Sequence, residues 1–126
     1  MNDDRENARR QYTETEILNA WGNPNHQDEL GFGALHMAIK SVNPDPYVIA
    51  VLAKHCTNID MTDKRHRTPL HWAAQLGHLD IVMLLLELGA NPRAEDIKGL
   101  SAAERTRNPE IRAIIEQAKA KSAKQA

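Results

Sequence analysis

Apolar residues recur along this chain in groups that have helical spacing. The clearest group lies three and four residues apart, on one face of a predicted helix, and comprises Ile111, Ile114, Ile115 and Ala118. Equivalent apolar pairs stand at 48–49, 81–82 and 114–115, at intervals of 33 residues. The pattern therefore predicts helices that repeat with a period close to 33 residues.

Polar positions keep the same period. Asp63 recurs as Asp96 after 33 residues, whereas Asp28 precedes Asp63 by 35. The two extra residues fall in the turn-rich stretch 41–46, where a loop can lengthen at little energetic cost. We therefore divide the chain into an N-terminal helical cap (1–27), three units (28–62, 63–95 and a C-terminal capping unit, 96–118) and a basic tail (119–126) that we expect to fray.

The second and third units contain signals for the ends of helices. Thr68 can cap a helix by accepting from the amide of His71, and Pro69 fits the first helical position. Gly77 and Gly89 suit the left-handed residues that end a first and a second helix. The stretch 101–104, Ser-Ala-Ala-Glu, has the spacing of a capping box. One such pair of helices cannot bury its apolar face alone, so we expect neighbouring pairs to stack.

The N-terminal segment predicts a short helix from about residue 6 to residue 21. Its apolar patch, formed by Ile17, Leu18 and Trp21, could cover the open side of the first unit.

Residues 63–78 read Asp-Lys-Arg-His-Arg-Thr-Pro-Leu-His-Trp-Ala-Ala-Gln-Leu-Gly-His, followed by a Leu-rich run and Gly89-Ala90-Asn91. This stretch closely resembles one ankyrin repeat, a 33-residue unit of a turn and two helices. The resemblance implies an all-α solenoid of stacked helix-turn-helix units joined by short hairpin-like turns. It also implies a protein-binding module and no enzyme. The chain departs from the family pattern at Gly33-Ala34 and at Ser101-Ala102, where the family has Thr-Pro.

Composition limits the classes of function. The net charge of −1 gives no global field for nucleic acid or an anionic membrane. No apolar run approaches a membrane span, and the first residues lack the apolar segment of a secretory signal. A single cysteine excludes an internal disulfide and is consistent with a reducing compartment. We therefore expect a cytoplasmic protein that is a monomer when free.

The six histidines and the one cysteine do not predict chemistry. The resemblance gives His36 and His71 a structural role, in which they tie a helix start to the adjacent turn, and His78 also matches the family pattern. No histidine pair has zinc-helix spacing beside a carboxylate, and no Ser-His-Asp arrangement or phosphate loop is present. Cys56 has no dedicated base in the sequence and is interpreted as a small residue at a helix end. We expect no cofactor, metal or small-molecule substrate.

The resemblance also implies where a partner would bind, because ankyrin repeats contact partners with their turn tips and first helices. The corresponding partner-binding candidates are Phe32, Met37, Lys64, Arg65, His66, Arg67, Trp72, Gln75, Ile97, Lys98 and Arg105, with Lys40 beside them on the first helix. Two alternatives stay open for Trp72, which could contact a partner or pack between neighbouring first helices. The basic turn 64–67 could recognise an acidic partner or be ordinary solvated charge. His66 stands where the other turns have Gly31 and Gly99, which predicts a positive φ.

Three functional hypotheses follow. The first is an adaptor, or a regulatory or inhibitory protein, that binds another protein through the surface of first helices and turn tips. The second is a bacterial effector that binds host proteins after transfer into a host cell. The third is nucleic-acid binding through residues 64–67 and the lysine tail, against which the net charge argues.

Overall fold

The computed structural model of the chain describes residues 13–41 and 43–125, with side chains as far as residue 121. Seven helices lie in these ranges: α1 (Glu14–Trp21), α2 (Ala34–Lys40), α3 (Pro46–His55), α4 (Pro69–Leu76), α5 (Leu79–Glu87), α6 (Ala102–Arg105) and α7 (Pro109–Gln125). The β-structure of the same residues is a single isolated bridge between Gln27 and Gly33. The all-α prediction is confirmed.

The helices stack in two layers. The first helices α2, α4 and α6 lie side by side in one layer, and α1, α3, α5 and α7 lie side by side in the other. Each first helix packs on the helix that follows it in the chain. Because α1 packs on α3, it occupies the place of a second helix at the N-terminal end of the stack. The predicted start of this helix, at residues 6–12, lies outside the described residues.

The helix ends follow the sequence signals. Thr68 Oγ1 accepts from the His71 amide at 3.3 Å, and Gly77 ends α4 in the left-handed region with φ 81°. Asn108 Oδ1 accepts from the Glu110 amide at 2.8 Å at the start of α7. The predictions for Thr68 and Gly77 are confirmed, because a cap depends only on residues a few positions apart.

The core runs between the two layers. Its largest fully buried side chains come from all three units: Leu35, Ile39, Ile49, Leu52, Leu70, Ile81, Leu85, Ile111 and Ile115. Of the apolar patch on α1, Ile17 is buried, Leu18 is half-buried against the core and Trp21 is exposed. The full burial of Leu85 agrees with the 33-residue register.

Three turns of the same geometry precede the first helices. In each turn an aspartate side chain accepts two backbone N–H groups, as Asp63 Oδ1 does from Arg65 and Arg67 at 2.9 and 3.0 Å. His66 adopts φ 61°, and it is the one residue other than glycine with a positive φ in the described ranges. The predicted left-handed geometry at His66 is therefore confirmed.

Two buried histidines join successive units. His36 Nδ1 accepts from the Gly33 amide at 3.1 Å, so Nε2 carries the proton and donates to the Arg67 carbonyl at 3.1 Å. His71 makes the equivalent bond to the Leu100 carbonyl at 2.9 Å. Burial lowers the pKa of both imidazoles, which keeps them neutral. The structural role expected for these two residues is confirmed.

The last helix continues through most of the basic tail. The segment 119–126, which the composition predicts to fray, is helical as far as Gln125. Lys119 Nζ donates to Ser101 Oγ at 2.8 Å, so the start of this segment is joined to the helix cap of α6.

Candidate functional site

The turn that precedes α4 is organised around Asp63. Its Oδ1 accepts from the backbone amides of Arg65 and Arg67. Its Oδ2 accepts from Trp72 Nε1 at 3.2 Å and from Arg67 Nε at 3.1 Å. Burial of Asp63 acts to raise its pKa, but these hydrogen bonds and the Arg67 charge outweigh burial and lower the pKa below its ordinary value. Asp63 is therefore ionised at neutral pH, and its two oxygens are fully used within the protein.

Two cations and two aromatic rings pack beside this carboxylate. The Lys40 ammonium lies 3.6 Å from the Phe32 ring centroid and 4.7 Å from that of Trp72. The Arg67 guanidinium lies 4.1 Å from the Trp72 centroid. The Phe32 and Trp72 rings pack edge to face, with their centroids 5.8 Å apart. Such contacts fix the rings and hold the two cations in place.

These side chains line an open groove of about 380 Å³, which we call the basic groove. Its lining residues come from the first two turns and from the first helices α2 and α4: Leu30, Phe32, Lys40, Asp63, Lys64, Arg65, Arg67 and Trp72. Leu30, Lys40, Lys64 and Arg65 are exposed, whereas Phe32, Arg67 and Trp72 are half-buried. The groove thus combines an aromatic floor with a charged, accessible rim.

The backbone of the turns is linked across the stack. The Lys64 amide donates to the Leu30 carbonyl at 3.0 Å, and the Ile97 amide donates to the Arg65 carbonyl at 2.9 Å. A Cβ on Gly31 would lie 2.8 Å from the Cα of Asp63, so the close approach of the first two turns requires glycine there. The rim residues therefore project from an ordered backbone.

The structure gathers only some of the predicted site residues. Phe32, Lys64, Arg65, Arg67 and Trp72 line the basic groove. His66 is exposed in the same turn but does not line the groove.

The other predicted residues lie elsewhere on the same side of the stack. Gln75 and Arg105 line a second concavity, of about 740 Å³, between the end of α4 and the residues that follow α6. Ile97 and Lys98 are exposed at the tip of the third turn, and Met37 is exposed on α2.

Trp72 has contacts that bear on both of its alternatives. The Trp72 ring packs against the core and its N–H donates to Asp63, as the packing alternative predicts. The ring is nevertheless only half-buried and also lines the groove, so it is accessible to a partner. At the equivalent position in the third unit, Arg105 pairs with Asp96 as Trp72 does with Asp63. This position therefore stabilises the turn before it in both units.

Three lining residues of the groove are absent from the set predicted from sequence. They are Leu30, Lys40 and Asp63; of these, the sequence predicts Lys40 beside the candidates on the first helix, and Asp63 marks the period of the repeat. The 33-residue recurrence of Asp63 as Asp96 was a signal of its turn role. No sequence signal pairs Lys40 with Phe32 and Trp72.

Cys56 ends α3 half-buried, and burial raises the pKa of its thiol, which disfavours the reactive thiolate. No group of three or more His, Cys, Asp or Glu side chains with the arrangement of a metal site occurs among the described residues. None of the seven helices has the length and apolar composition needed to span a lipid bilayer.

Comparison with known families agrees with this architecture. The family model for ankyrin repeats matches residues 8–96 in three copies, which is more than half of the chain. The chain belongs to the ankyrin repeat family, whose repeats are protein-binding modules without catalytic groups of their own. The match begins upstream of residue 28, within the segment assigned to the cap, so the unit boundaries given above remain a proposal.

Several curated proteins contain a region similar to this chain. A protein named as a probable serine/threonine-protein kinase of Dictyostelium discoideum is 37% identical over 84 residues, which cover 64% of this chain and 10% of the kinase. A palmitoyltransferase of Naumovozyma castellii is 43% identical over 79 residues, covering 60% and 10%. An ADP-ribosylation factor GTPase-activating protein of Arabidopsis thaliana is 39% identical over 75 residues, covering 60% and 9%.

The matching region is a small part of each relative. The chain spans about a tenth of the length of these proteins, and the similarity reflects ankyrin repeats. The activities in their names belong to those proteins.

Proposed function

We propose that this chain is an adaptor, or a regulatory subunit, that binds another protein through the basic groove and the neighbouring turn tips. The observation that supports the proposal most is the position of Trp72, which is half-buried at the floor of a groove whose rim is formed by Lys64 and Arg65. Tryptophan and arginine dominate the energetics of protein interfaces when they are held rigidly and ringed by other contacts.

The rim is available for a partner. Within the described residues, Lys40, Lys64 and Arg65 have no carboxylate within salt-bridge distance, whereas Arg67 is paired with Asp63. Exposed Leu30 and Ile97 on the first and third turns supply apolar surface close to the cations. An apolar and aromatic centre beside unpaired charge is the composition expected of a recognition surface.

We place this activity in the cytoplasm, on the ground that the sequence has a single cysteine and no disulfide pair. An effector that acts in a host cell would use the same surface, and the described residues contain nothing that favours that location over the cytoplasm.

The test is quantitative affinity capture from the native lysate, followed by mass spectrometry. The wild-type bait is compared with Arg65→Glu, which changes an exposed side chain while leaving its backbone bonds in place. Lys121→Glu on α7, with the same change of charge in the other layer, is the matched control. We expect Arg65→Glu to lose the partner that wild type and Lys121→Glu retain, because an interfacial charge reversal slows association.

Trp72→Ala is a second variant, read together with its melting temperature because Trp72 also packs on the core. Partners captured equally by wild type and by both variants would place the binding surface elsewhere. The exposed Met83 and Leu88 on the opposite layer would then be the next surface to test.

A further inference from the structure

The charge around the basic groove differs in sign from that of the whole chain. Four cations line the groove, Lys40, Lys64, Arg65 and Arg67, and Asp63 is the one carboxylate among its lining residues. The formal charge of the lining is therefore four minus one, or +3, on a chain whose net charge is −1. A local excess of this size, set against the net charge, marks a surface that attracts anions.

The Asp63 carboxylate, which is already counted in this sum, offsets only one of the four cations. Its Oδ1 accepts two backbone amides, and its Oδ2 accepts from Trp72 and Arg67, so the carboxylate compensates Arg67 alone. The positive charges of Lys40, Lys64 and Arg65 remain without an anionic partner in the described part of the chain.

The three uncompensated cations are held by different means. The Lys40 ammonium lies over Phe32 and Trp72, which replace part of its hydration shell with aromatic surface. Lys64 and Arg65 project from a turn whose backbone is bonded to the turns on both sides. An anion that enters the groove would meet charges whose backbone positions are already ordered, which reduces the entropic cost of binding.

We infer that the basic groove binds an acidic segment of a partner protein. Carboxylates of that segment would meet Lys64 and Arg65 at the rim and Lys40 above the aromatic floor, while its aliphatic stems would contact Leu30 and Phe32. This inference rests on the proposed function and adds the chemistry of the partner. It also assigns the basic turn, residues 64–67, a role in recognition, in place of the alternative that its charges are only solvated.

The same charges could attract a nucleic acid, but the aromatic groups do not favour one. Single-stranded nucleic acids bind to open aromatic faces on which bases stack. The Trp72 ring is half-buried, and both the Lys40 ammonium and the Arg67 guanidinium already lie over it. A stacking base would have to displace a cation that phosphate binding needs.

The experiment uses the full chain with Trp21→Phe, which leaves Trp72 as the single tryptophan and so as a fluorescent reporter inside the groove. The probe is a short peptide of alternating glutamate and glycine, and the comparison probes are the glutamine–glycine peptide, the lysine–glycine peptide and oligothymidylate. We expect saturable quenching or a spectral shift with the glutamate peptide alone, and a weakening of binding when salt shortens the Debye length below about 10 Å.

Matched variants test whether the groove causes the signal. Lys64→Gln and Arg65→Gln should each weaken binding by roughly 2–5-fold, the range expected for one exposed charge pair. Lys121→Gln removes the same charge from α7 and should leave binding unchanged. Equal binding of the glutamine peptide, or equal affinities for all three variants, would overturn the inference.

Two further outcomes separate this inference from the proposed function. If oligothymidylate binds more tightly than the peptide and depends on the same lysine and arginine, the groove recognises nucleic acid and the inference is wrong. If Arg65→Glu abolishes capture of a protein partner while the glutamate peptide fails to bind, the proposed function stands and the acidic chemistry assigned to the partner is wrong.

Discussion

Truncation of Leu85 tests the central packing of the stack. Leu85 is fully buried on α5, and α5 lies between α3 and α7. Leu85→Ala removes three side-chain carbons, and at about 0.8 kcal/mol per buried carbon this transfer alone costs roughly 2.4 kcal/mol. A cavity that the neighbours fill only partly adds to this, so we expect a loss of about 2–5 kcal/mol in the free energy of unfolding.

Such a loss is a large fraction of the stability of a small domain, which is about 5–15 kcal/mol in total. Urea unfolding followed by circular dichroism measures it, because the midpoint and the slope m are obtained together. Leu88→Ala is the matched control: it is the same substitution at the end of the same helix, but Leu88 is 43% exposed, and we expect a loss below about 1 kcal/mol.

The slope m gives additional information. Because each unit contacts only its neighbours, weakening the middle unit could uncouple the two ends, and m would then fall. A loss below about 1 kcal/mol for Leu85→Ala with unchanged m would refute the assignment of Leu85 to the core and with it the 33-residue register.

Three further predictions concern the turns and the buried histidines. Burial lowers the pKa of His36 and His71 in the folded protein, so the unfolded chain binds more protons than the folded chain at mildly acidic pH. The contribution of the two residues to the free energy of unfolding should therefore be complete above about pH 6.5 and be lost as the pH falls below that value. Urea unfolding measured between pH 7.5 and pH 5 would show this loss. His66→Gly should stabilise the fold by about 0.5–1 kcal/mol, because relief of the left-handed strain exceeds the added backbone entropy of the unfolded chain; a destabilised variant would contradict this. Trp72→Phe keeps a ring but removes the N–H that Asp63 accepts, and should cost about 1–3 kcal/mol in thermal or urea unfolding, whereas an unchanged midpoint would mean that the bond contributes nothing.

The sequence by itself determined the repeat, the all-α class and the local signals. Thr68, Gly77 and His66 act through residues two to four positions away, so their cap and turn conformations depend on local chemistry that a linear sequence displays. The roles of His36 and His71 followed from the family pattern, since each repeats the same bond to the next turn.

Only the tertiary structure decided how the groove is assembled. Phe32 and Lys40 belong to the first unit and Trp72 to the second, and stacking of α2 on α4 brings the three together. The bonds to Asp63 Oδ2, in contrast, are made within the second unit, because Arg67 lies in the same turn and Trp72 on the helix that follows it. Sequence spacing fixes the position of each residue within its unit, whereas contacts between units depend on the distance and rotation of one helix pair against the next.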